Sequence, residues 1–175
     1  MKPLLLSLIL AGTLALTGCS SLVSLNPFVT DKEAVMDPAL LGAWTNQEGT
    51  DTYSVTQSGA GYDIRYSSGS DVYLFKANLM TAGDVKLLDL VSASEDVWQL
   101  PLHTPVRVWT EGNTLSVAFL ESDWLKQKAS EQVPTVPIDD RTLITAPSEA
   151  ARDFFVEAGA DPNAWGEPEV LSRHQ

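Results

Sequence analysis

Between residues 40 and 120 apolar and polar positions alternate, and glycine-containing turn signals interrupt the alternation at short intervals. A period of two places successive side chains on opposite faces of a strand, whereas a helix would repeat every 3.6 residues or so. The first run is 40–46 (LLGAWTN), ended by Glu48-Gly49. Residues 52–57 (TYSVTQ) alternate and stop at Ser58-Gly59-Ala60-Gly61, and residues 62–67 (YDIRYS) set Tyr62, Ile64 and Tyr66 against Asp63 and Arg65. After Ser68-Gly69-Ser70, residues 72–80 (VYLFKANLM) alternate Tyr73, Phe75, Ala77 and Leu79 with Lys76 and Asn78. Ala82-Gly83 turns the chain into residues 85–91 (VKLLDLV). A less regular stretch, 92–102, leads to residues 105–110 (PVRVWT), and Glu111-Gly112-Asn113 is a hairpin signal before residues 114–120 (TLSVAFL). Short strands joined this way predict an antiparallel meander that closes as a barrel or packs as a sandwich.

Past residue 120 the period changes. Residues 124–130 (WLKQKAS) predict one or two helical turns, Pro134 and Pro137 bracket an extended link, and residues 141–145 (RTLIT) predict a final strand. Ser148 is the expected N-cap of a short C-terminal helix with Glu149 in its first turn. Ala151, Phe154, Phe155 and Ala158 recur at helical spacing, and Gly159 stands where the helix is expected to stop. The Phe154-Phe155 stripe is expected to cover an open barrel end or a sheet face. The expected fold class is mainly β, with about eight antiparallel strands and that helix.

The N-terminus departs from this pattern. Lys2 precedes an apolar run at residues 4–15 (LLLSLILAGTLA), too short to cross a bilayer core as a helix. Leu16-Thr17-Gly18-Cys19 follows, and Cys19 is the only cysteine among 175 residues. This order resembles the lipobox of bacterial lipoproteins. The resemblance implies cleavage before Cys19, a diacylglycerol thioether on its sulfur and a further acyl chain, palmitate among the candidates, on the freed amine. Two or more chains anchor stably where one holds only marginally. Ser20 in place of Asp implies sorting to the outer membrane with the domain facing the periplasm; the inner membrane and the cell surface are the alternatives. The expected organisation is a signal peptide at 1–18, a lipidated tether at 19–36 interrupted by Asn26-Pro27, and one domain at 37–175.

Charge removes several function classes. Asp and Glu number 23 against 11 Lys and Arg, a formal charge of −12, which repels phosphate backbones and makes nucleic acid an unexpected partner. The acidic residues are dispersed and suit solubility. With Cys19 acylated, no thiol is left for a disulfide or redox chemistry. The sequence has no Cys/His cluster for zinc, no EF-hand spacing, no phosphate-cradling glycine loop and no Gly-x-Ser-x-Gly elbow, so no metal or other cofactor is expected. His103, in LPLHTP, has Asp89, Glu95 and Asp96 near it in sequence and is the candidate general base. A loop histidine of this kind is more often structural, and no enzymatic activity is expected.

Gly42-Ala43-Trp44 on the first strand resembles the Gly-x-Trp of lipocalins. That likeness implies an eight-stranded up-and-down barrel whose closed end holds the Trp beneath an Arg from near the last strand, and Arg141 is the expected partner. Trp124-Leu125-Lys126 and the Gly-x-Trp start are also similar to segments of uncharacterised bacterial lipoproteins, a likeness that implies no activity. Tyr62, Tyr66, Tyr73, Phe75, Trp109 and Phe119 either line a ligand cavity or fill the barrel, since eight strands leave room for side chains or one small ligand. Trp98 and Trp124 are expected at a rim or a partner contact. The expected function is binding of a small apolar molecule or hydrophobic segment; the alternative is an envelope-assembly or protein-interaction accessory with a filled barrel.

Overall fold

The computed structural model describes residues 22–93, 100–139 and 141–174; Cys19, the expected signal peptide, Glu95, Asp96 and Trp98 lie outside the described residues. The predicted meander forms. Its strands are β2 (Gly42–Thr45), β3 (Asp51–Ser58), β4 (Gly61–Ser68), β5 (Asp71–Ala82), β6 (Val85–Ser92), β7 (His103–Glu111) and β8 (Thr114–Phe119), following the short β1 (Leu22–Ser24). Each of β2 to β8 pairs antiparallel with the next. After α1 (Ser122–Gln132), β9 (Thr135–Ile138), β10 (Arg141–Ile144) and α2 (Ser148–Ala160), the chain returns as β11 (Glu169–Arg173). That strand slots between β8 and β2 and closes an eight-stranded antiparallel barrel.

Closure by β11 corrects the sequence reading, which placed the last strand at 141–145. Strand β10 instead lies outside the barrel, between β1 and β9, and β1 hangs this small extension on β7 at Ser24–His103. The expected tether is corrected too. Leu22 and Val23 are buried in β1, and Phe28 and Val29 are buried as well, so the body already includes these residues and does not start near Asp37. Helix α1 is longer than the expected one or two turns.

The alternation sorts side chains into two cores. Inward positions of the strands, with Leu40, form the barrel interior around Trp44, Val55, Tyr62, Leu79, Leu88 and Leu171. Outward positions such as Met80, Leu87 and Ala118 meet Phe28, Ile144, Phe154 and Phe155 in a second core. Helix α2 therefore covers the outer face of the barrel wall and not an open end. It starts at Ser148 with Pro147 in the cap position. Gly159 lies inside the helix, and a Cβ there would stand 3.3 Å from Val85 Cγ1, so a small residue permits the close approach of α2 to β6.

Up-and-down topology puts the hairpins at Gly59-Ala60, Gly83-Asp84 and Gly112-Asn113 at one end of the barrel. Gly112, with φ of 58°, takes the left-handed conformation its tight hairpin needs at no steric cost. The 3-10 turn Pro38–Leu40 folds under this end and inserts the buried Leu40, closing it. The β2–β3 and β4–β5 connections, the end of β6 and the start of β7 lie at the opposite end, the mouth.

Candidate functional site

The closed end is set by Trp44 and Arg173. Trp44 is fully buried, and its indole N–H donates to the Leu40 carbonyl at 2.9 Å. The Arg173 guanidinium lies 4.4 Å from the Trp44 ring centroid and donates to the carbonyls of Leu41 (2.8 Å) and Ala39 (3.1 Å). The partner of Trp44 is thus Arg173, from the closing strand. Arg141 sits on β10 beside Asp139 at 3.9 Å, away from the barrel interior, and the expected Trp44–Arg141 pair does not form. Gly42 has φ of 126°, and a Cβ on it would stand 2.6 Å from Arg173 Nη1. Glycine two residues before the Trp therefore clears the space the guanidinium fills. Lys86 also points into this end and pairs with Asp37 at 2.5 Å. Burial raises the Asp37 carboxyl, but the bond from Lys86 and the Ala39 N–H outweigh it and hold the group below its ordinary value.

Toward the mouth the inward positions become aromatic. Tyr53, Tyr66 and Tyr73 are cross-strand neighbours on β3, β4 and β5, with ring centroids stacked at 4.8 and 5.8 Å. Tyr73 is 50% exposed, as is Phe119 at 53% on β8. The outward Val72 and Leu74 and the loop residue Leu100 are also exposed, so the rim carries several apolar side chains. Beneath the mouth is a cavity of about 60 Å³, lined by Leu40, Tyr53, Val55, Tyr62, Ile64, Leu88, Val108, Leu115, Val117 and Leu171. Glu169 borders it, directly across the ladder from Val117, and accepts a long bond from the Tyr53 hydroxyl at 3.4 Å. Burial, with Asp51 nearby, pushes the Glu169 carboxyl above its ordinary value against the opposing Tyr53 bond. Burial and then Glu169 push the Tyr53 hydroxyl up as well.

Of the other sequence candidates, Tyr62 lines the cavity and Tyr73 stands at its mouth. Trp109 does not face it: it packs on the outer wall, with the Arg107 guanidinium 5.5 Å from its ring. Trp124 is not a free rim residue. Its N–H donates to Asp161 at 2.8 Å, and its ring lies 5.9 Å from Phe154. His103 does meet a carboxylate, with Nδ1 2.7 Å from Asp89 Oδ1, but the pair has a structural setting. Asp89 is 3% exposed on the outer wall, and its other oxygen accepts the backbone N–H groups of Phe28 (2.9 Å) and Val29 (3.1 Å). The pair pins the N-terminal segment to the barrel.

Tyr53, Glu169 and Arg173 were not singled out from the sequence. Tyr53 is readable as an inward residue of its alternating strand. Glu169 and Arg173 lie in a short charged segment whose only apolar pair is Val170-Leu171, and only pairing with β8 and β2 makes them barrel residues. Comparison with family models, with curated proteins and with solved structures finds no match.

Proposed function

We propose that this chain is a lipid-anchored envelope protein that works by binding, taking a slim apolar molecule through the tyrosine-lined mouth of its barrel. The observation that carries the reading is the apolar cavity under an exposed aromatic mouth. Its size bounds the occupant. At about 60 Å³ it is smaller than the roughly 150 Å³ that admits a benzene ring, so it suits the end of a single alkyl chain. The lipobox assigns the anchor to Cys19, and Ser20 favours the outer membrane, periplasmic face. Two residues separate Cys19 from Leu22 at the start of β1, three backbone steps and a reach of at most about 11 Å, so the anchored barrel rides close to the bilayer surface where such molecules concentrate.

Two measurements test this. Metabolic labelling with an alkyne fatty acid is expected to mark the wild type and not Cys19→Ser; equal labelling removes the anchor. Isothermal titration with hexan-1-ol is expected to show binding that Val117→Phe, which fills the cavity, weakens by about tenfold or more. Equal affinity in the two proteins sinks the cavity reading. The exposed Val72, Leu74 and Leu100 favour a second reading, in which the rim docks on an envelope protein and the barrel serves as a filled scaffold. Binding of hexan-1-ol with no effect of rim substitution separates the first from it.

A further inference from the structure

The barrel interior is electrically polarised along its axis. Among the described residues, the cations on inward strand positions are Lys86 and Arg173, both at the closed end and both engaged, by Asp37 and by the carbonyls of Leu41 and Ala39. Inward positions at the mouth carry carboxylates instead: Asp51 on β3, Asp71 at the start of β5 and Glu169 on β11. Asp51 receives the Asn46 amide at 3.0 Å. Glu169 differs from the other two because it borders the cavity through its neighbours. It shares the inward face of β11 with Leu171, stands opposite Val117 and bonds to Tyr53, and all three of these residues line the cavity.

We propose, resting on the cavity reading above, that the mouth selects a ligand whose apolar chain ends in an ammonium group. The chain end occupies the cavity and the cation lies against Glu169, beside the Tyr53 ring at the end of the tyrosine stack. Each part has a physical reason. A carboxylate half-withdrawn from water next to Asp51 is relieved when a cation neutralises it. Aromatic faces attract a cation through the ring quadrupole, most strongly where water is thin. An anionic head such as a fatty carboxylate meets repulsion from the same three acids, and the overall charge of −12 extends that repulsion outward.

The test uses the mature acylated protein in nanodiscs of uncharged glycolipid, titrated with hexylammonium, hexan-1-ol and hexanoate, with empty discs as the blank. Hexylammonium is expected to bind about tenfold tighter than hexanoate or better, with hexan-1-ol between them. Glu169→Gln keeps an oxygen for the Tyr53 hydroxyl and sits at a partly exposed position, so it is expected to fold. It should weaken hexylammonium by about tenfold while hexan-1-ol stays within about twofold. Hexanoate binding as tightly as hexylammonium overturns the proposal, as does an ammonium preference that survives Glu169→Gln. In either case hexan-1-ol still binds and the cavity reading stands. If none of the three binds, the cavity reading falls and this proposal with it.

Discussion

Asp89 shows how one side chain can be placed by burial yet used for something its neighbours in sequence do not reveal. It sits on the outward face of β6, a position that β alternation would give to water or to an apolar layer. Here the layer is the N-terminal segment, and the carboxylate satisfies two of that segment's backbone N–H groups as well as His103. A buried charge is tolerated only when such partners surround it. The sequence offered the carboxylate–histidine proximity; it could not offer Phe28 and Val29, which lie 61 and 60 residues away. Asp89→Ala leaves those N–H groups and the ring buried without an acceptor, and is expected to cost about 3–5 kcal/mol in urea unfolding. Asp89→Asn, which retains one acceptor oxygen, should cost less. A loss below about 1 kcal/mol for the alanine variant would show that water replaces the carboxylate and that the segment is held by Phe28 packing alone.

At the scale of elements, the strands β2 to β8 were legible because each is local. An alternating run bounded by turn residues states its own face, and the hairpins fix the register with the next run. Closure was not legible, because β11 is short, charged and separated from both partners by two helices and a side sheet. Strand-like residues 141–145 took its place in the sequence reading, since RTLIT is the better strand by propensity. The same substitution of one candidate for another moved the arginine from Arg173 to Arg141. What the Gly-x-Trp element did disclose is the glycine, and the structure supplies its reason. Gly42→Ala is expected to cost about 1–3 kcal/mol, from a side chain at positive φ and from pushing Arg173 off the Trp44 ring. Part of that cost depends on Arg173 being present, so a double-mutant cycle with Arg173→Ala should find the pair of substitutions cheaper than the sum of the singles. Strict additivity would mean that the conformation of Gly42, and not the close approach, is the whole effect.

For the molecule as a whole, the two ends of the barrel treat their carboxylates oppositely, and this has a signature in stability against pH. At the closed end Lys86 holds Asp37 below its ordinary value of 3.8. A depressed carboxylate contributes stability above its unfolded value, and that contribution disappears as pH falls through the folded one. At the mouth Glu169 is raised above 4.5 by burial and by Asp51. The folded state then favours the protonated acid, so stability is full at low pH and declines as pH rises through the raised value. The closed end is built to hold the barrel together at neutral pH, while the mouth carries a charge whose burial is paid for by folding and recovered when a cation arrives. Glu169→Gln is accordingly expected to raise the urea midpoint at about pH 7 and leave it unchanged near pH 4, whereas Asp37→Asn lowers it at about pH 7 and loses its effect toward about pH 3. Glu169 is partly exposed, so solvent screening keeps its shift small, and the sign is the observable. A Glu169→Gln variant that is less stable than wild type at neutral pH would mean that the Tyr53 bond outweighs desolvation and that the mouth is settled without a ligand. The hexylammonium titration adds the complementary arm: at saturating ligand the neutral-pH difference between wild type and Glu169→Gln should shrink or reverse, because binding to the folded state stabilises the protein that keeps the carboxylate more than the variant that binds about tenfold more weakly.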